Sequence, residues 1–224
     1  MKLNLENAIQ AIEQNGILLV FPIDNKNDPP SLWSAFHPRS EMRWEWDENG
    51  DDRVPKLWHL REELSRSGRV IYTKWFRGRA TFFSPKIFKA LIALNQNSLD
   101  EKTLSYEAKS ILETLRLDSP LSTKVLKRAV GLHGRLNEAS YQRALKELWL
   151  RFSIVIYGEV DEGAFPSVAL GATDVLFEDL YSESRNLSRG EAWQILRDQQ
   201  ISSPLLTGQI QKQLRARDVE SPRL

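Results

Sequence analysis

The chain has 224 residues, with 31 Lys and Arg against 30 Asp and Glu, three His and no cysteine. That length gives one large domain or two small ones with ample chain for a core. The absent cysteine excludes disulfides, Cys-ligated zinc, iron–sulfur clusters and thiol nucleophiles, and it fits a reducing cytoplasm. No apolar run reaches the ~18–20 residues needed to span a bilayer, and the polar start MKLNLENAIQ is not a secretion signal, so a cytoplasmic protein without membrane contact is expected.

In chain order, residues 3–14 carry Leu5, Ala8, Ile9 and Ile12 on one helical stripe, and Asn15-Gly16 ends the helix. Ile17 to Phe21 is a continuous apolar run that reads as a buried strand. Residues 24–55 are broken by Asp28-Pro29-Pro30, His37-Pro38 and Asn49-Gly50 yet hold Trp33, Phe36, Trp44 and Trp46, which predicts an ordered loop wrapped on the core. Pro55 suits the first turn of a helix over 56–66. Residues 69–77 are ambiguous between helix and strand, and Ala80 to Phe83 is extended. Ser84-Pro85 then starts a helix over 85–94, and a polar connector over 95–100 marks a domain boundary.

The next stretch predicts helix 103–116, a short helix 122–130 capped by Ser122 with Val125, Leu126 and Ala129 inward, a turn over 131–136, and a helix 138–150 capped by Asn137 with Ala144, Leu145 and Leu148 inward. Phe152 to Tyr157 and Phe165 to Leu170 read as two strands of a hairpin. Three helices and a hairpin are the order of a winged helix. Ser188 caps a helix over 189–200, and a final arginine-bearing helix covers 205–217. The expectation is a mainly helical α+β fold: an N-terminal α+β module (1–98), a winged helix-turn-helix domain (101–183) packed on it, and a C-terminal helical tail (184–224).

The balanced total charge hides segregation. Residues 56–90 carry nine bases against Glu62 and Glu63, and residues 119–151 carry seven against Glu138 and Glu147, while residues 157–183 carry seven acids and no base. On a helix-turn-helix reading, 138–150 is the recognition helix, with Ser140, Tyr141, Arg143 and Lys146 facing outward and Arg135 and Asn137 at its start. Lys124, Lys127 and Arg128 on the preceding helix hold the phosphate backbone. Glu159, Asp161 and Glu162 on the hairpin repel phosphate and argue against a conventional wing contact. The run from Lys74 to Phe83 interleaves Lys74, Arg77 and Arg79 with aromatics. It suits stacking on an opened base, or a strand with buried aromatics and outward arginines. His37, His59 and His133 lie far apart, and the acids near Asp47 lack the twelve-residue calcium-loop pattern, so neither a metal nor a cofactor is expected.

Several blocks also resemble a known family: Gly16-Ile17-Leu18-Leu19, Ser31-Leu32-Trp33-Ser34, Leu57-Trp58-His59-Leu60-Arg61, Tyr72-Thr73-Lys74-Trp75-Phe76-Arg77-Gly78-Arg79 and Ser119-Pro120-Leu121-Ser122-Thr123-Lys124. Together they are similar to the bacterial crosslink-repair DNA glycosylases built from tandem winged helices (AlkZ/YcaQ-like), and more closely to their shorter relatives. The resemblance implies a winged-helix fold, a cytoplasmic location and double-stranded DNA as partner. In the active glycosylases a Gln-x-Gln or Gln-x-Asp motif follows the early Gly-apolar run and positions the water that attacks the sugar. Here that stretch reads Val20-Phe21-Pro22-Ile23-Asp24, with Asp24 as its only polar candidate. Gln209-Ile210-Gln211 matches the motif in letters only, at the wrong end of the chain.

The reading is therefore a non-catalytic DNA-binding protein that recognises damaged or distorted duplex. Two alternatives stay open. One is a divergent DNA N-glycosylase using Asp24 or Glu45 to activate water beside Trp33 and Trp58. The other is a winged-helix surface for protein association, including pairing of acidic and basic blocks in a homo-oligomer.

Overall fold

The computed structural model describes residues 2–43, 52–95, 101–161 and 166–215. Asn4 Oδ1 accepts from the Asn7 N–H and opens α1 (Leu5–Asn15), which Gly16 closes at φ +75°. A Cβ on Gly16 would lie 2.8 Å from Gln199 Cγ and 2.9 Å from Ile87 Cγ1, so this position needs glycine for close approach as well as for its φ. The apolar run supplies β1 (Ile17–Leu19). Within the irregular stretch, Ser31 caps a five-residue helix α2 (Leu32–Phe36) that buries Trp33 and Phe36, so this part of the loop does wrap on the core. Trp44 and Trp46 lie outside the described residues.

Then follow α3 (Arg53–Arg66), β2 (Ile71–Phe76), β3 (Arg79–Phe83) and α4 (Pro85–Leu94), the last opened by Ser84 and Pro85. The second half of the chain gives α5 (Tyr106–Leu117), β4 (Leu121–Ser122), α6 (Thr123–Ala129), α7 (Glu138–Leu150), β5 (Ile154–Val160) and β6 (Ser167–Ala172). Helices α8 (Thr173–Leu176), α9 (Glu178–Asn186), α10 (Arg189–Asp198) and α11 (Pro204–Arg215) complete it; α10 starts on a capping box between Ser188 and Glu191.

The six strands form one antiparallel sheet in the order β1-β3-β2-β5-β6-β4. The pairing of Tyr72 with Ile156 joins β2 to β5, so strands from both halves of the chain share it. Alternate residues feed two apolar clusters, as the two-residue strand period requires. Leu18, Tyr72, Phe82, Ile154 and Ile156 face α1, α2, α3, α5, α6 and α7. Ile17, Leu19, Ile71, Trp75, Phe83 and Val155 face α4, α10 and α11. Helices cover both faces, which explains why Ile17 to Val20 is apolar without alternation. It also explains why 69–77 is ambiguous in sequence: β2 has no solvent-facing phase. On the α4 side, Phe152 is held at φ +57° with its ring against Phe88 at 5.3 Å and Trp75 and Phe83 at 6.0 Å.

Two inward assignments on α6 are corrected. Val125 is 40% exposed and Ala129 is exposed, because a seven-residue helix packs only one edge and Leu126 fills it. Helices α8 and α9 are absent from the expectation; their stripe is only Leu176, Phe177, Leu180 and Tyr181, all partly buried, in an acidic segment.

Gly158 sits at φ +79° where the β5–β6 register shifts, and a Cβ there would lie 2.6 Å from Arg66 Cζ. A side chain at 158 would also have to displace the Arg66 guanidinium, which donates to Glu62 Oε1 and to the Glu159 carbonyl, each at 2.5 Å. Gly158→Ala is therefore expected to destabilise by about 2 kcal/mol or more, read as a lower urea midpoint with an unchanged slope.

Candidate nucleic-acid interface

Helix α7 buries Tyr141, Ala144, Leu145, Leu148 and Trp149 and exposes Gln142, Arg143 and Lys146. The outward placement of Tyr141 is thus corrected. It precedes Leu145 by four residues and Leu148 by seven, which puts it on the buried stripe at 1% exposure. Burial, helped by the Glu138 charge, pushes its phenol well up. Lys127 lies 4.7 Å over the Tyr141 ring and pairs with Glu138 at 2.6 Å, so it is engaged within the two-helix unit. Lys127, then Gln142, holds the Glu138 carboxyl below the usual range. Asn137 stands at the start of α7 without a side-chain cap; its amide donates to the His133 carbonyl at 3.1 Å. Ser140 accepts from Arg143 Nη2 at 3.0 Å. Lys124, Arg128, Arg135, Arg143 and Lys146 are exposed, and among the described residues none of them pairs with a carboxylate.

The C-terminal half of α7 walls a groove of about 1000 Å³. Strand β2 contributes Lys74 and Trp75, the β2–β3 turn Arg77, α7 Gln142, Lys146 and Trp149, and α11 Gln209, Lys212 and Gln213. Among the described residues its lining holds four bases (Lys74, Arg77, Lys146 and Lys212) and no acid. The floor is a buried polar chain. Trp75 Nε1 donates to Gln213 Oε1 at 2.6 Å, and Gln213 Nε2 donates to the Leu150 carbonyl at 2.6 Å and to Asn95 Oδ1 at 3.2 Å. These bonds tie α11 to β2 and to the ends of α4 and α7. Trp75 and Trp149 are buried, at 2% and 5% exposure, so they form floor and not a stacking surface, while Arg77 and Arg79 are exposed. Of the 74–79 run, Arg79 alone among the three bases does not line the groove. Burial, then the nearby Arg61 charge, pulls the Lys74 ammonium below the usual lysine range.

Behind the groove, Arg61 is 3% exposed. It donates to Tyr72 Oη at 3.1 Å and to Glu159 Oε1 at 2.5 Å, with its guanidinium 3.9 Å over the Trp58 ring. Glu159 therefore lies in β5 under an arginine and is not at the hairpin tip. Asp161 is exposed, and Glu162 lies outside the described residues.

The glycosylase-motif positions hold no comparable constellation. Val20 is buried, Phe21 stacks on Trp58 at 6.4 Å, and Asp24 is exposed on a turn at φ +50°. Asp24 is not among the residues lining the nearby cavity of about 150 Å³ formed by Trp33, His37 and their neighbours. Glu45 lies outside the described residues. The groove's chemistry is cationic and concave, suited to holding a polyanion, and among the described residues no carboxylate lines it.

Sequence reasoning missed the part played by α11. Leu206, Ile210 and Leu214 recur every four residues and are buried, and Gln213 falls beside that stripe at 7% exposure. A glutamine on an apolar stripe needs buried partners, and that was the available signal.

Arg77 and Gly78 both sit at positive φ, +51° and +72°, as the two-residue turn joining β2 to β3 requires. Arginine is a poor residue for that geometry, where Asn is favoured. Arg77→Asn is expected to raise stability by a few tenths of a kcal/mol to about 1 kcal/mol in urea melts while lowering the salt needed for elution from heparin.

Two comparisons returned nothing: no curated protein and no solved structure matches the chain. A family model described as "AlkZ related" matches residues 3–215. That span runs from the start of α1 to the end of α11, and the chain belongs to the AlkZ-related family, relatives of the DNA-repair glycosylases its sequence blocks resemble.

Proposed function

We propose that the protein binds double-stranded DNA through its phosphates without cleaving a glycosidic bond. In this reading residues 101–183 are a winged-helix unit with α7 as recognition helix, 1–98 an N-terminal module and 184–224 a helical tail. The order α5-β4-α6-α7-β5-β6, with β4 paired to β6, supports the winged-helix assignment. The observation that carries the function is the groove whose described lining holds Lys74, Arg77, Lys146 and Lys212 and no acid, extended along α7 by exposed Arg143 and at its start by the Arg135 turn. Lys124 and Arg128 extend the cationic face onto α6. Backbone contacts of this kind position a protein on DNA and make its affinity fall with salt. The family favours DNA over other polyanions. The reading without hydrolysis rests on the stretch from Val20 to Asp24, which carries neither glutamine of the motif, and on Asp24, which is exposed and does not line the cavity beside Trp33. Damaged or distorted duplex is the preferred target on this reading, and the cytoplasm its compartment.

The test is fluorescence anisotropy with intact, abasic and alkylated duplexes over a salt series. The expected result is binding whose log affinity falls linearly with log salt. Arg143→Ala with Lys146→Ala should reduce the slope by about two and the affinity about tenfold or more. Base release from the alkylated duplex would make the protein an enzyme instead. A stable dimer with no anisotropy change at low salt would favour protein association.

A further inference from the structure

Two leucines flank the turn between α6 and α7, and the fold treats them oppositely. Leu132 packs against the core, whereas Leu136 is 98% exposed, more than any other large apolar residue described. The turn that presents Leu136 is bonded throughout. The Leu132 N–H donates to the Lys127 carbonyl at 2.8 Å, the Asn137 N–H to the Gly134 carbonyl at 3.2 Å, and the Asn137 amide to the His133 carbonyl. Gly134, at φ +88° and ψ 161°, turns the chain in a conformation only glycine adopts easily. Leu136 is thus held on a fixed tip, one residue ahead of Asn137 at the start of α7. Arg135 precedes it in the chain, Arg128 and Lys124 stand on the preceding helix α6, and among the described residues no carboxylate pairs with these three; Glu138, two residues on, is taken up by Lys127. An exposed apolar side chain on a turn next to a cationic helix face suits a surface that is anionic at its edges and has apolar groups between them.

We propose that Leu136 contacts thymine methyl groups in the major groove and gives the protein a preference for A·T-rich duplex. This rests on the reading of α7 as a recognition helix. The first residues of such a helix come nearest the base edges, and the C5-methyl of thymine is the apolar group displayed there. Arg135, Arg128 and Lys124 take the flanking phosphates, while Leu136 covers the methyls.

The experiment compares a duplex of about twenty-four mixed A·T pairs with the same duplex carrying uracil for every thymine, which removes the methyls and keeps every phosphate. The full chain and Leu136→Ala are titrated against both by anisotropy. Leu136 makes no core contact, and far-UV circular dichroism confirms that the variant folds. The wild type should bind the thymine duplex about three- to fourfold tighter per contacted methyl, and Leu136→Ala should bind the two alike. Equal binding by the wild type, or a thymine preference that survives in Leu136→Ala, would overturn the inference while leaving phosphate binding intact. No binding of the wild type to either duplex would remove the underlying DNA reading, and this inference with it.

Discussion

The bonding of β2 to β5 sets the geometry of everything functional in this chain. Tyr72 pairs with Ile156, and Arg61 reaches from α3 to hold the Tyr72 hydroxyl and the Glu159 carboxylate at once. Two nearly buried charges are costly to desolvate, and their attraction repays little beyond that cost. What the pair supplies is registration: removing one partner would strand the other charge, which costs about 3–5 kcal/mol, so slipped arrangements of the two strands are penalised. Ser65 Oγ accepting from the Gly158 N–H at 2.9 Å adds a second tie from α3 to β5. Once β2 lies against β5, α7, which runs into β5 through Phe152, must lie near the β2–β3 turn.

That proximity makes a groove from segments far apart in sequence. Lys74 and Arg77 line the same groove as Lys146, and α11 closes its other side with Lys212. Burial, then the Arg61 charge, holds the Lys74 ammonium below the usual lysine range, so its charged form is disfavoured until an anion arrives. Such clustering is costly for folding alone and is relieved when a polyanion binds. The strained Arg77 turn belongs to the same pattern, with a cation held in a backbone conformation that asparagine or glycine would occupy more easily. Among the described residues, several acids away from the groove are paired within the fold. Glu159 is covered by Arg61, Asp174 by Arg116 at 2.7 Å, and Glu183 meets Lys89 at 2.6 Å on α4.

Where structure follows from local chemistry, the sequence was readable. Ser84-Pro85, Ser122 and Ser188 each open the helix expected of them, and Gly16 ends α1. The buried aromatics of 72–83 lie inside the sheet, and the exposed Arg77 and Arg79 lie at the turn between β2 and β3. Less legible were features set by packing from a distance. The two-residue strand β4 has no pattern to detect, and β2 gives no polar phase because helices cover both its faces. Tyr141 looked outward because a phenol is amphipathic, yet its spacing from Leu145 and Leu148 decided its place. The groove itself was split in sequence into two unrelated contacts and a tail, since the hydrogen bond from Trp75 to Gln213 spans 138 residues.

The claim that α7, the β2–β3 turn and α11 act as one DNA-binding surface is tested most directly by hydrogen–deuterium exchange of the full chain with and without a duplex at low salt. Bound DNA should slow amide exchange together in 74–79, 135–146 and 204–213 and leave α9 unchanged. Protection confined to α9 or to the 22–41 loop, or no protection under conditions where the duplex is bound, would contradict it.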